Sequence, residues 1–550
     1  MNLLERIEEW KTRFGAADAR ELEALLETAA EAPADDAASL IRLHEALLFF
    51  RAYPPSRTVA RLADKALASF AGRIRRLRES GASLSDFEDA EVSGIAGTSL
   101  SAVFSYDVAH SLAARYGSAL DVDWDWYKDS DLLGGLLPRL IPFVDEDWPV
   151  EAHVPFREWL NQAAGLRRTG LGWLLDRLAA APLSDRHRAE WYERARLLLR
   201  WEVGDSPATR TRMHLPAKPL FLHTHPLIKR SEVDLNRELA GPPLPVARVP
   251  RQEAERVLEM IRDTSAVRYR ELYGFTHPDR RYVYRADAGR GTLIYFFGVP
   301  PEWRLPLRAY HGGLFFKNGV PAGYVEVLSL FDRAEVGFNL YYTFRAGETA
   351  WVYARLLRLC WQMLGVSCFS VDPYQIGHDN EEAIESGAFW FYRKLGFRCT
   401  DPRLSKLAEA EERKIRGHEG HRTSARTLRK LAAGHMLFEG PGAETGSWDN
   451  FQVRNLGLAV ARRMAERFDG DPYRMRRSAA RLIRRVLGME CNGQWPLLLS
   501  LIPDLASWAA SEKSALAAIL RAKMSGEESA YLRLMQRHSK LRKALLRLAS

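Results

Sequence analysis

Apolar side chains recur three and four positions apart over much of the first two hundred residues, the spacing of a helix that buries one face. Leu40, Leu43, Leu47 and Phe50 make one such stripe, and Val59, Leu62, Ala63, Leu67 and Phe70 make the next. Ala52-Tyr53-Pro54-Pro55-Ser56 separates them, because Pro is tolerated only in the first turn of a helix. The pattern resumes through Trp159, Ala163 and Leu166, then Leu171, Leu174, Leu175 and Leu178, then Trp191, Ala195, Leu198 and Leu199. No fixed repeat period accompanies it, so a solenoid is not specified. The spacing predicts a helical region over residues 1–206.

Residues 207–245 have another texture. Pro216, Pro219, Pro226, Pro242, Pro243 and Pro245 break regular structure and read as a linker or an extended wrap. A helix is predicted at 251–262, followed by short runs of aromatic and β-branched residues at 281–285, 292–299, 313–317, 323–330 and 335–344. Asn318-Gly319 between two of these runs supplies the positive φ angles of a two-residue hairpin loop. Gly289-Arg290-Gly291 and Phe331-Asp332-Arg333 read as further turns. A helix (348–364), a strand (368–373) and a second helix ending at Gly396 follow, and beyond about residue 403 the pattern is helical to the end. The fold class expected is α+β: a central mixed sheet over 246–402, between all-α regions at 1–206 and 403–550.

Composition narrows the function classes. Of 550 residues 47% are hydrophobic and 27% charged, which excludes a largely disordered or low-complexity chain. The longest apolar stretches, 495–502 and 132–144, fall far short of the ~20 residues a membrane span needs. The first nine residues are amphipathic and acidic rather than signal-like. Four cysteines without CxxC spacing make no disulfide framework, and a reducing cytoplasm fits them. The net charge of +9 is concentrated late: residues 451–550 hold 19 Lys/Arg against 8 Asp/Glu. Such a surplus attracts nucleic acid or anionic surfaces, or it is the solvated face of a helical region.

The stretch 335–397 carries the most chemistry. Ala334-Glu335-Val336-Gly337-Phe338-Asn339-Leu340-Tyr341-Tyr342, the turn Arg345-Ala346-Gly347-Glu348-Thr349-Ala350, and Ala388-Phe389-Trp390-Phe391-Tyr392-Arg393-Lys394-Leu395-Gly396-Phe397 together resemble the GNAT superfamily of acyl-CoA-dependent N-acyltransferases. The resemblance covers roughly residues 245–401, and its closing aromatic-Tyr-x-x-Leu-Gly-Phe element is the most specific part. It implies acyl transfer, with acetyl-CoA or another acyl-CoA as co-substrate, to an amine-bearing acceptor that includes peptides and proteins. It also implies that Tyr342, Thr343, Phe344, Arg345, Ala346, Gly347, Glu348, Thr349 and Ala350 contact CoA, and that Tyr392 protonates the departing thiolate. Glu348 stands where the family's turn has Gly, and a carboxylate there repels pyrophosphate unless it points away. Asn380 resembles the family's Asn after the next strand, although spacing back from Tyr392 places that position on Glu385.

The turn has a physical reading of its own. A strand entering a Gly-containing loop and then a helix presents free backbone N–H groups and a positive dipole end, an anion site. Amine attack needs a base, and Glu326 within an apolar strand and Glu335 at the head of the next are the candidates. Each is equally explained as an outward residue of a half-solvated sheet. No metal is expected: His223-Thr224-His225 and His418-Glu419-Gly420-His421 lack a third ligand at diagnostic spacing. Asp121-Val122-Asp123-Trp124-Asp125-Trp126-Tyr127 lacks the mid-loop Gly and closing Glu of a calcium loop, and reads as a Trp-anchored contact between regions. Cys360 and Cys368 read as small core residues. Two other function classes stand beside acyl transfer. One is a non-catalytic scaffold of GNAT shape. The other is a nucleic-acid-associated protein using the basic tail, 511–550, whose apolar positions Tyr531, Leu532, Leu534, Met535, Leu541 and Leu545 line one helix face.

Overall fold

The computed structural model describes residues 3–31, 36–128, 130–147, 153–491 and 493–549. Its strands are β1 (Ser99–Val103), β2 (Leu120–Val122), β3 (Leu198–Glu202), β4 (Val246–Arg248), β5 (Val283–Gly289), β6 (Thr292–Gly298), β7 (Ala309–Lys317), β8 (Val320–Leu330), β9 (Arg333–Leu340), β10 (Cys368–Val371), β11 (Arg398–Cys399) and β12 (Met436–Glu439). The chain is mixed α/β and is built on one large mixed sheet, in the order β11-β12-β10-β9-β8-β7-β6-β5-β4. From β4 to β9 neighbouring strands are antiparallel. The helix Thr349–Leu364 then carries the chain across to β10, which is parallel to β9.

Local chemistry explains this sheet. β7 is buried at every position, as a strand covered on both faces must be, and it reads as a nearly unbroken apolar run. Asn318 and Gly319 join it to β8 with φ of 46° and 83°, the positive pair of a tight hairpin loop. The loop is gripped rather than solvated. Asn318 Nδ2 donates to the carbonyls of Ala52 and Phe221, and its Oδ1 accepts from Phe221 N–H, all at 2.9 Å. Phe331-Asp332 and Arg290-Gly291 close the β8–β9 and β5–β6 hairpins.

Among the described residues two large hydrophobic clusters hold the molecule, with a small third one, Met475, Ala479 and Leu497, under the helices of residues 453–487. The larger joins the helices of residues 7–96 to the central sheet and to the C-terminal helices. The smaller gathers residues 100–213 with Ala266 and Val267 of the helix Arg251–Ala266 and its exit. Residues 207–245 run mostly extended between them, with one short helix, Leu235–Ala240.

The flanks are not all-α. β1, β2 and β3 form a separate antiparallel sheet, in the order β1-β3-β2. The helical stripe expected through Leu198 and Leu199 ends at Arg194: Arg196 takes φ +46°, and the chain re-enters as a strand that buries Leu199 and Trp201 alternately. Two apolar residues of a period-2 strand had been absorbed into a period-3.6 pattern. In the C-terminal region β12 inserts between β10 and β11; four residues are too few to show any period. Trp124 packs into the smaller cluster while Trp126 is exposed, so residues 121–127 are a strand end and its turn rather than an anchor between regions.

The tail divides into Glu528–Gln536 and Ser539–Ala549. It buries Tyr531, Leu532, Met535, Leu541 and Leu545, and Tyr531 Oη donates to Leu307 O at 2.6 Å. Among the described residues, no helix is long and apolar enough to cross a membrane.

A Cβ added at Gly319 would lie 1.9 Å from Leu215 O, and the φ of +83° is itself strained for any other residue. Gly319→Ala is expected to lower stability by at least about 1–3 kcal/mol. Urea unfolding checks this; an unchanged midpoint would show that the grip on the hairpin tip is loose.

Candidate functional site

β9 and β10 pair only over Arg333–Glu335 and Cys368–Ser370. Beyond that point β9 continues to Leu340 without a partner strand on this side, while β10 ends at Val371 and Asp372-Pro373 turns the chain away. Asp372 caps this turn, accepting from Tyr374 N–H at 2.9 Å. Proline cannot extend the ladder, so the strands part into a wedge.

Gln375 reaches into the wedge. Its Oε1 accepts from Phe338 N–H of β9 and from Tyr392 Oη, both at 3.1 Å. A backbone N–H and a phenol therefore converge on one amide carbonyl oxygen, the arrangement that stabilises a carbonyl gaining negative charge. Tyr392 comes from the helix Ala388–Lys394 and is buried. Burial raises its pKa well above the ordinary value, so the phenol stays protonated at neutral pH. Tyr353, on the helix Thr349–Leu364, lies between Phe338 and Tyr392 with ring centroids 5.1 and 5.6 Å away. Its hydroxyl is fully buried and has no hydrogen-bond partner among the described residues, which costs about 1–3 kcal/mol unless a water or another polar group meets it.

Glu326 of β8 faces Gly337 across the sheet. A Cβ on Gly337 would sit 3.5 Å from Gln375 Nε2 and 3.9 Å from Glu326 Cβ, in van der Waals contact with both, so the glycine leaves only a narrow lane between the Glu326 stem and the Gln375 amide. Tyr310 Oη donates to Glu326 at 2.6 Å. Burial raises the Glu326 pKa above the ordinary carboxylate value, and this hydrogen bond partly offsets the rise. Glu335 lies on β9, two residues before Gly337 and on the same face, and is otherwise engaged, with Arg308 at 3.2 Å and Arg333 at 3.9 Å.

The turn ahead of the helix Thr349–Leu364 is shaped from within. Glu348 has no solvent exposure and points into the protein. It meets Arg290 at 2.5 Å and Lys317 at 2.9 Å, and accepts from Ile228 N–H at 3.2 Å. Burial pushes its carboxyl up, but the two cations outweigh this and hold it below the ordinary value. Lys317 is lowered to about 8 by burial, against the pull of Glu348. Glu348 thus projects no charge onto the outer rim of the turn, where Arg345 and Ala346 are exposed. Thr349, Ala350 and Trp351 begin the helix, and their N–H groups have no acceptor within it. Tyr342, 54% exposed, stands beside this rim under the Arg345 guanidinium.

Other sequence-derived candidates face elsewhere. Thr343 and Phe344 are buried, and the Thr343 hydroxyl donates to Glu45 of the N-terminal helices. A Cβ on Gly347 would press on Tyr53 Oη at 2.4 Å, so the inner side of the turn is filled by protein. Asn380 caps the helix Glu381–Glu385 and donates to Tyr374 O. Tyr392 therefore lies in the wedge with Glu326 on the adjoining strand β8, the rim gathers Tyr342, Arg345, Ala346 and the half-buried Thr349, and Thr343, Phe344, Glu348, Ala350 and Asn380 serve packing and helix starts.

No family model, curated protein or solved structure matches this chain.

Two residues at the site escaped the sequence reading. Gln375 sits in a turn that no periodicity marks. His435, just ahead of β12, lines a cleft of about 190 Å³ with Glu335 and Asp372. Burial and Arg333 lower its pKa, and its Nδ1 is unpartnered. Ligand atoms of Glu335, Asp372 and His435 lie within 4.8 Å of one another. A dication entering there would meet the two guanidiniums already held by Glu335, so the cluster is poorly balanced for a metal. His223 is a packing residue, wedged against Tyr53 and Phe221, with burial lowering its pKa to about 3.

Replacing Lys317 by Met leaves Glu348 buried with one cation instead of two. Breaking such a pair costs about 3–5 kcal/mol. Thermal unfolding of Lys317→Met is expected to show a loss of that size; a shift of under a degree would mean that Arg290 alone carries the carboxylate.

Proposed function

We infer that the protein is an acyl-CoA-dependent N-acyltransferase, using acetyl-CoA or another acyl-CoA on an amine acceptor. The observation that carries this reading is the convergence of Phe338 N–H and Tyr392 O–H on one carbonyl oxygen inside the wedge. The likeness of residues 334–397 to GNAT sequences points the same way. A thioester entering along the open edge of β9 replaces the Gln375 amide, and its carbonyl oxygen takes the Phe338 N–H. Glu326 accepts a proton from the acceptor amine across the lane at Gly337. The amine nitrogen bonds to the carbonyl carbon, the C–S bond breaks, and the sulfur takes the proton of Tyr392. Arg345, exchanging its ion pairs with Glu382 and Glu91, and the first-turn N–H group at Thr349 would hold the pyrophosphate. The orphaned Tyr353 hydroxyl fits a pantetheine amide.

One observation favours a second reading: Gln375 satisfies both donors, as it would in a scaffold that binds no thioester. Titration calorimetry with acetyl-CoA and with free CoA separates the two. Saturable micromolar binding is expected. No heat at millimolar ligand would leave the scaffold reading standing.

Tyr392→Phe is expected to lower kcat by roughly 10²-fold or more on any amine that is turned over, the usual scale for a lost general acid. An unchanged kcat in a steady-state assay would remove Tyr392 from that role.

The raised Glu326 pKa places the acid limb of kcat/KM above the ordinary carboxylate value, with activity falling as pH drops and the base is protonated. Glu326→Gln is expected to be slow and to have lost that limb. A pH profile of unchanged shape would assign the base elsewhere.

A further inference from the structure

The wedge leaves unused a strongly basic surface, the helical hairpin Val453–Phe468 and Pro472–Leu487. Residues 453–487 contain ten Arg, no Lys and three acidic residues, Glu466, Asp469 and Asp471. Among the described residues two of the ten are ion-paired: Arg474 with Asp469 at 2.9 Å and Arg484 with Glu490 at 3.6 Å. The second helix turns Met475, Ala479 and Ile483 inward, and Arg474, Arg477, Arg481 and Arg484 recur along its outer side at helical spacing. Arg463 from the first helix, Arg481 and Arg485 from the second, and Ser478 and Ser500 line one cleft of about 360 Å³. Three guanidiniums around a cleft with no carboxylate among its lining residues repel one another until an anion enters.

We propose that this face binds the phosphate backbone of a nucleic acid, with one phosphate in the cleft and its neighbours along the outer stripe. Arg rather than Lys suits this, because its planar fork meets phosphate oxygens in pairs. The stripe from Arg474 to Arg484 rises about 15 Å, roughly four to five nucleotides at 3.4 Å per step. Tyr473, 72% exposed at the head of the stripe, offers a ring on which a base can stack. An anionic bilayer fits less well: a membrane-surface helix sets a continuous apolar band beside its cations. Here the large exposed apolar side chains are Val453, Leu458 and Tyr473, set apart along two helices. The terminal helices, whose apolar faces are packed, are not needed for this binding.

The test uses the full chain and fluorescence anisotropy, with a labelled 20-nucleotide single-stranded RNA and a 20-base-pair DNA duplex as probes. The wild type is expected to bind at least one of them, with affinity falling steeply as salt rises. The triple variant R463Q/R481Q/R485Q is expected to bind at least tenfold more weakly, with a salt slope smaller by about 2–3. If that variant does not fold, the exposed single substitution Arg481→Gln is expected to weaken binding severalfold and reduce the slope by about 1. The tail variant R533Q/R537Q is expected to bind as the wild type does. Absence of binding to both probes overturns the proposal, as does triple-variant binding at the wild-type slope. So does sedimentation with phosphatidylglycerol vesicles in the absence of any oligonucleotide binding.

Discussion

The buried ion triad of Glu348, Lys317 and Arg290 is where the parts of this chain meet. Lys317 ends β7, Arg290 turns the β5–β6 hairpin, and Glu348 immediately precedes the helix that leads to β10. Tyr53 of the N-terminal helices receives the Glu348 N–H, and Ile228 of the extended segment donates to the carboxylate. Charges taken out of water in this way are stabilised only while every partner is in place. The triad therefore makes the orientation of the first turn of that helix depend on segments nearly 300 residues apart. It also turns the one anionic side chain of the turn inward.

Much of the central sheet was legible in the sequence because its signals are local. Asn318-Gly319 dictates its loop by φ alone, and the runs ending at Lys317 and beginning at Val320 register themselves around it. The helix Thr349–Leu364, β10 and the Tyr392 helix follow from ordinary periodicity. Residues 198–202 and 436–439 were missed for the opposite reason. A five-residue strand beside a helix shares its apolar spacing by chance, and a four-residue strand is decided by a partner some 65 residues upstream.

At the site, the residue types were legible and their directions were not. Glu348 has the same letter whether it faces a ligand or Lys317, and only the distant Lys and Arg decide. Thr343 has a hydroxyl that a turn motif would aim at a ligand, yet Glu45 holds it. Gln375 and His435 carry no pattern at all. They reach the wedge and its neighbouring cleft because the turn after β10 and the entry to β12 happen to end there. Because Gln375 already satisfies Phe338 N–H and Tyr392 O–H, an incoming carbonyl exchanges hydrogen bonds rather than adding them. On the proposed reading the net gain would have to come from the Tyr353 hydroxyl and the aromatic wall around it.

The insertion of β12 between β10 and β11 bears on how the chain is made. The ribosome delivers β10 about 65 residues before the strand that covers its outer edge. At 5–20 residues per second that is roughly 3–13 s with an open hydrogen-bonding edge beside a buried apolar strand. During that interval the nascent sheet is exposed to pairing with other chains. A chain released before residue 436 would keep that edge permanently, so incomplete products of this protein are expected to aggregate rather than persist as soluble fragments.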